Sequence, residues 1–291
     1  MKDLMYFFKP KGVAVIGASR KPEKPGHVIL KNFITNKANG LFKGEIYPVN
    51  PTTNSIMGLK TYPTVKEIPG EVDLAVVAVP ARFVLEVIEE CGEKGVKGVI
   101  IISAGFSEVG NRELEGELVK KARENGIRII GPNCLGIYDT WTGVDTLFVP
   151  EDKYINGKPV KASPRPPRGK IAFISQSGAF GVAVLDYMYS EGLGLSTFIS
   201  YGNRCDVNEN ELLEYFLTDE HTKAIMLYVE SLANGREFMQ VARKVVKAKP
   251  IVALKAGRTK AGARATMAHT GALAGVDEIY NAAFKQAGVI R

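Results

Sequence analysis

Twice along this 291-residue chain, short continuous runs of Val, Ile and Ala alternate with amphipathic helical stretches. This alternation restricts the fold more than any other feature. The apolar runs of the first half are 12–17, 45–50, 73–80, 98–103 and 128–133, with helical periodicity from about residue 26, over 83–94 and over 112–125. Those of the second half are 170–174, 195–199, 224–229 and 251–255, separated by helical patterns at 180–191, 209–217 and 236–247, with a last one at 277–286. A strand apolar on both faces must be covered on both faces, which calls for a parallel sheet between two helix layers. The chain is therefore expected to form two doubly wound α/β units, the first of Rossmann type and ending near Tyr138. Between them the basic, Pro-rich segment 158–169 reads as a semi-rigid linker.

Composition removes several function classes. The 38 Lys and Arg against 31 Asp and Glu give a net charge of +7, but the basic residues are spread along the chain with acids interleaved. A nucleic-acid surface would gather them on one face or helix. The remaining role for the excess is attraction of a polyphosphate ligand. No apolar run approaches the roughly 20 residues needed to span a bilayer, and the first ten residues lack a signal-peptide pattern. A cytoplasmic protein with no membrane partner is expected. Cys91, Cys134 and Cys205 are too scattered for a disulfide framework or a zinc site, and no metal site is expected.

In open parallel sheets, ligands bind beyond the carboxyl ends of the strands. In the second unit the first strand runs into Ser175-Gln176-Ser177-Gly178-Ala179 at the start of a helix. Small residues there leave backbone N–H groups free at the positive end of the helix dipole, making Ser177, Gly178 and Ala179 an anion cradle. The third strand ends in Glu230. Downstream lies His269, in Met267-Ala268-His269-Thr270-Gly271-Ala272, where small neighbours leave the imidazole approachable. Taken alone, His269 also reads as a surface residue of a Gly/Ala-rich loop, and Glu230 as an exposed strand-end acid. Together they suit phosphoryl transfer: a neutral imidazole nitrogen attacks while a carboxylate on the other nitrogen holds the tautomer. In the first unit, Gly17-Ala18-Ser19 closes the first strand without completing G-x-G-x-x-G. The second strand ends in Asn50-Pro51, not in the acid that would hold an NAD ribose, so both features argue against a nicotinamide cofactor. Arg20, Lys21 and Lys24 lie near Ser19 for a phosphate-bearing ligand. His27, near a helix start, is placed close to that ligand, whereas His221 reads as a solvated loop residue.

The ordered set Val15-Ile16-Gly17-Ala18-Ser19, Val49-Asn50-Pro51, Val79-Pro80, Ser103-Ala104-Gly105-Phe106, Gly131-Pro132-Asn133-Cys134-Leu135-Gly136, Ser175-Gln176-Ser177-Gly178, Leu227-Tyr228-Val229-Glu230 and His269-Thr270-Gly271 resembles the α subunits of the NDP-forming acyl-CoA synthetases. These include succinyl-CoA ligase and the ADP-forming acetyl-CoA synthetases. The resemblance implies a Rossmann-type CoA-binding domain at 1–140, a connecting segment at 141–169 and a flavodoxin-like ligase domain at 170–291. It implies coenzyme A along Gly17, Ala18, Ser19, Asn50, Pro51, Val79, Pro80, Ser103 and Ala104, with Asn133 and Cys134 at the thiol end. It also implies His269 as a transient phosphohistidine, Glu230 as its partner and Ser177, Gly178 and Ala179 as its phosphate cradle. The implied reaction is acyl-CoA + phosphate + ADP (or GDP) = acid + CoA + ATP (or GTP), on a small carboxylic acid. The Mg-nucleotide is expected on an ATP-grasp β partner in a hetero-oligomer.

Two other readings compete. One is a non-catalytic CoA-binding regulatory module, against which the presence of His269 counts. The other is a shortened piece of a larger synthetase, to which Val289-Ile290-Arg291 points by reading as the start of a further strand.

Overall fold

The computed structural model describes residues 4–155, 158–258 and 277–291. After a short helix, α1 (Met5–Phe8), the first unit runs β1 (Gly12–Ile16), α2 (Pro25–Ala38) and β2 (Glu45–Val49), followed by a small hairpin of β3 (Ser55–Ile56) and β4 (Leu59–Lys60). It continues through β5 (Leu74–Val77), α3 (Val84–Lys94), β6 (Gly98–Ile101), α4 (Arg112–Glu124) and β7 (Arg128–Ile130). The strands pair in the order β2-β1-β5-β6-β7, all parallel. β1, β5 and β6 are buried at every position, which is the double coverage their sequences demand.

The chain then passes through β8 (Gly136–Asp139), β9 (Asp152–Ile155) and β10 (Lys158–Lys161) into β11 (Arg168–Ser175) and α5 (Gly178–Ser190). There follow β12 (Leu195–Ser200), α6 (Glu209–Thr218), β13 (Ala224–Val229), α7 (Gly235–Val245), β14 (Ile251–Lys255) and α8 (Asp277–Ala287). The second sheet has the order β14-β13-β11-β12-β8. Its four central and later strands are parallel, and β8 closes one edge antiparallel to β12. In both sheets the first strand has the second on one side and the third on the other. The switch point where ligands gather therefore lies between β1 and β5 in one unit, and between β11 and β13 in the other. Helices α5, α6 and α7 start on side-chain caps. Ser177 accepts from the Phe180 N–H, Asn208 from Asn210 and Glu211, and Asn234 from Arg236 and Glu237. Each such cap is worth about 1 kcal/mol.

The expected α/β architecture is present, with three local differences. β8, which the alternation did not single out, leaves the first sheet and joins the second. The Pro-rich segment is packed, not a free spacer: β10 pairs with β9, and Arg165 bonds Asp145 at 2.9 Å with both side chains about nine-tenths buried. The Tyr138 hydroxyl donates to the Pro166 carbonyl. Nor is His221 simply solvated. It is half-buried and stacks on Trp141, with centroids 4.0 Å apart and planes 4° from parallel.

The two units share one interior. Phe8 of α1 stacks on Tyr215 of α6 at 4.0 Å and meets Phe216 edge-on. The segment after β12 lies along the outer edge of β7. The N–H groups of Asn203, Cys205 and Val207 donate to the carbonyls of Pro132, Gly131 and Ile129. This covers an edge strand that would otherwise present unpaired backbone. Arg128 locks the same seam, donating to Asp206 at 2.7 Å and to both oxygens of Glu211 at 2.8 and 3.0 Å. All three side chains are less than one-fifth exposed. Replacing Arg128 leaves two sheltered carboxylates without their cation. Arg128→Met is expected to lower unfolding stability by about 3 kcal/mol, read as the urea midpoint; a wild-type midpoint would contradict the assignment.

Candidate functional site

At the carboxyl edge of the first sheet the backbone is drawn together. Gly17 has φ +91°, and a Cβ there would lie 2.7 Å from the Ala78 carbonyl. A Cβ on Gly26, in the first turn of α2, would lie 2.0 Å from the Gly17 carbonyl. Only glycine at both positions lets the helix N-terminus come down onto the strand end, the geometry used to bring backbone N–H groups to a phosphate. Asn50 holds the loop, donating to the Ala18 carbonyl at 2.7 Å and accepting from the N–H and hydroxyl of Thr52. The His27 ring approaches the Ser19 carbonyl at 2.8 Å through Nδ1. A carbonyl only accepts, so Nδ1 is the donor in this contact.

Further along this edge the Ser103 hydroxyl donates to the Val79 carbonyl, and the Ser103 carbonyl accepts from the Asn133 N–H. Val79 and Ser103 are half-buried, and Pro80 and Ala104 are exposed. Gly17, Ala18, Ser19, Asn50, Val79, Ser103 and Asn133 thus lie on one continuous hydrogen-bonded rim. Cys134 differs: its side chain is buried, its thiol faces the Ile101 carbonyl at 3.3 Å, and burial pushes the thiol up to about 12. This sulfur is packed away from the rim and remains protonated near neutral pH.

The second edge is built at the β11–β13 switch point. Ser177 caps α5, so the first-turn N–H groups of Gly178 and Ala179 face out of the helix end without intrahelical acceptors. Beside them Glu230 follows β13. It is 4 % exposed, and its Oε2 has no hydrogen-bond partner among the described residues. A buried carboxylate oxygen left bare is costly, and such an atom calls for a cation, a donor or a ligand. Tyr201 is fully buried with Glu209, Arg204 and Glu230 around its hydroxyl. Burial first, then the neighbouring Glu209, pushes that hydroxyl well above the usual phenol range. His269 lies outside the described residues. Among the described residues no cluster of His, Cys, Asp and Glu has the makings of a metal site, and no helix is long and apolar enough to cross a membrane.

One segment joins the two edges. Asn203 accepts from Asn133 at 3.3 Å and donates to Glu108 at 2.5 Å, Glu115 at 2.8 Å and Ser107 at 3.2 Å, all in the first unit. The next residue, Arg204, turns the other way, to Ser231 beside Glu230. From the sequence, Asn203 is placed only at the end of the second strand of this unit, and no role falls to Arg204 or to Gln176, though Gln176 stands inside the quoted Ser-Gln-Ser motif.

Comparison with known proteins matches both units. The family model described as a CoA binding domain matches residues 11–140, and that of the succinyl-CoA ligase like flavodoxin domain matches residues 168–291. With both domains in order, the chain belongs to the superfamily of NDP-forming acyl-CoA synthetases. It is 47% identical over 289 residues to the α subunit of an acetate–CoA ligase (ADP-forming) of Pyrococcus furiosus, covering 99% of this chain and 59% of that one. It is 39% identical to a 4-hydroxybutyrate–CoA ligase (ADP-forming) of Nitrosopumilus maritimus, covering 97% of this chain and 39% of that one. Its structure superposes with a TM-score of 0.90 on acetyl-coenzyme A synthetase 1 of Ca. Korarchaeum cryptofilum, solved with phosphate and ADP. That match has 44% identity and covers all of this chain and 59% of the other. The chain thus spans well under two-thirds of these relatives.

The Glu108 carboxylate at the seam gives a pH signature. Burial alone would raise it, but hydrogen bonds from Asn203 and from the N–H groups of Gly105 and Phe106 outweigh burial and hold it below the usual carboxylate range. A depressed native value contributes stability above the unfolded-state value of about 4.3, and that contribution is lost as pH falls toward the native value. Over that acidic window wild type should lose unfolding stability more steeply than Glu108→Gln. Parallel slopes in denaturant titrations at stepped pH would contradict it.

Proposed function

We propose that this chain is the CoA-binding α part of an NDP-forming acyl-CoA synthetase, acting with an ATP-grasp β partner in a hetero-oligomer. The reading is carried chiefly by Glu230, whose buried Oε2 lacks a partner among the described residues, at the strand end next to that from which α5 starts. His269, downstream in the chain, supplies the imidazole that such a carboxylate would orient.

Coenzyme A lies along the first rim, its phosphates near Gly17, Ala18 and Ser19 and its chain passing Asn50, Pro51, Val79, Pro80, Ser103 and Ala104 to Asn133. Cys134 contributes its backbone there, since its thiol is buried. Inorganic phosphate sits on the N–H groups of Gly178 and Ala179 with Ser177. Phosphate oxygen attacks the thioester carbonyl, the C–S bond breaks, and CoA leaves as the thiol with an acyl phosphate formed. The neutral nitrogen of His269 then takes the phosphoryl group and the acid leaves as carboxylate. Glu230, on the other ring nitrogen, stabilises the positive charge that develops. Finally the phosphoryl group passes to ADP or GDP, held with Mg²⁺ on the partner, and His269 is regenerated. The acid is small, in keeping with the acetate and 4-hydroxybutyrate in the relatives' names.

With the β partner and labelled ATP, the chain should acquire an acid-labile label on His269. His269→Asn should abolish both label and turnover, and Glu230→Gln should slow labelling by about 100-fold or more. An unlabelled His269, or full turnover by His269→Asn, would overturn the reading. In the first domain, Gly26→Ala forces helix and strand end apart. CoA affinity, by titration calorimetry, should fall on the order of tenfold or more for a contact-distorting change of this kind; unchanged affinity would place CoA elsewhere.

A further inference from the structure

We infer that Gln176 and Arg204 are positioning residues for the Glu230 carboxylate, acting through the backbone of the turn that follows β13. The inference rests on the phosphohistidine reading above and adds to it the groups that aim the carboxylate.

The turn 230–233 leaves β13 with no regular structure of its own, yet its polar backbone atoms are taken by side chains from three other elements. From the β11 end, Gln176 Oε1 accepts the N–H of Glu230 at 2.6 Å and of Ser231 at 3.0 Å. From the segment after β12, Arg204 Nη1 donates to the Ser231 carbonyl at 2.7 Å and Nη2 to the Ser231 hydroxyl at 3.2 Å. From α6, Glu209 Oε1 accepts the Ala233 N–H at 2.6 Å, and its Oε2 pairs with Arg204 at 3.3 Å. Glu209 is fully buried, so this ion pair is sheltered from water and salt. The Glu230 backbone is thus gripped on both sides, while its own Oε2 is left without a partner among the described residues. A turn fixed this closely around a bare carboxylate oxygen suits an atom that must meet a reacting group in one orientation.

Arg204 shows the same constraint in its own backbone. Its φ is +61°, in the left-handed region that a long side chain rarely adopts. It follows Gly202, where a Cβ would lie 2.2 Å from the Pro132 carbonyl, and Asn203, which is bonded to Glu108, Glu115 and Ser107. Strain of this kind persists only where the surroundings over-determine it, and it gathers at functional sites.

The test is single-turnover phosphorylation of His269 in the chain with its ATP-grasp partner, using labelled ATP, alongside CoA affinity by calorimetry. Gln176→Met and Arg204→Met keep most of the side-chain volume and remove the acceptor and the donors. Arg204→Lys keeps a cation that reaches the Ser231 carbonyl. The phosphorylation rate should fall on the order of tenfold to hundredfold in both Met variants, while CoA affinity stays at the wild-type value and Arg204→Lys recovers most of the rate. If Arg204→Met does not fold, Gln176→Met and Arg204→Lys carry the comparison. Wild-type rates in Gln176→Met, or CoA affinity falling in step with the rate, would overturn the positioning role. An unlabelled wild-type chain would instead overturn the phosphohistidine reading, and the positioning role with it; a labelled wild type isolates the failure to Gln176 and Arg204.

Discussion

The pairing of the segment after β12 with the exposed edge of β7 is the contact on which the site depends. Each sheet can be built from its own strands, and three N–H groups of that segment tie the second unit to carbonyls at the carboxyl end of β7 in the first. Backbone bonds of this kind set distance and direction more tightly than side-chain contacts, since neither partner has a rotamer to change. Arg128, with Asp206 and Glu211, and the Phe8–Tyr215 stack brace the seam at its other points. The shared interior makes relative sliding of the units costly, because close-packed side chains have few alternative arrangements.

In that seam two adjacent residues bind opposite halves of the molecule. Asn203 binds the loops carrying Ser107, Glu108 and Asn133, whereas Arg204 binds the turn carrying Glu230. The two loops are therefore held by adjacent residues, the second of them with φ +61°. In the proposed reaction an acyl group leaves coenzyme A and a phosphoryl group arrives at an imidazole. The atoms concerned must share a small volume, and Asn203 and Arg204 tie the two edges together.

Most of the fold was legible because its strands are so uniformly apolar. The runs 98–103 and 224–229 read as strands, and the structure puts β6 and β13 there, β6 buried throughout and β13 with alternate positions half-buried. β8 was not legible: Gly-Ile-Tyr-Asp is too short and mixed to announce itself, and its partner β12 lies more than fifty residues away. For the site, Gly17, Ser177 and Glu230 stood out because strand ends in such sheets are where ligands bind. Gln176 and Arg204 did not, because an amide or a guanidinium near a turn acquires its role only from the backbone groups placed opposite it. Cys134 was placed at the thiol end by its neighbours in the motif. The side chain turns inward because the hydrophobic interior beneath the rim, together with the Ile101 carbonyl, accommodates it.

The most direct measurement of the account is a crystal structure of the chain with coenzyme A and inorganic phosphate bound together. The account predicts the CoA phosphates over Gly17–Ser19, the thiol end reaching Asn133, and the inorganic phosphate on the α5 N-terminus within reach of both the thiol and the site flanked by Glu230. Coenzyme A on another face, or phosphate away from Ser177, Gly178 and Ala179, would contradict it.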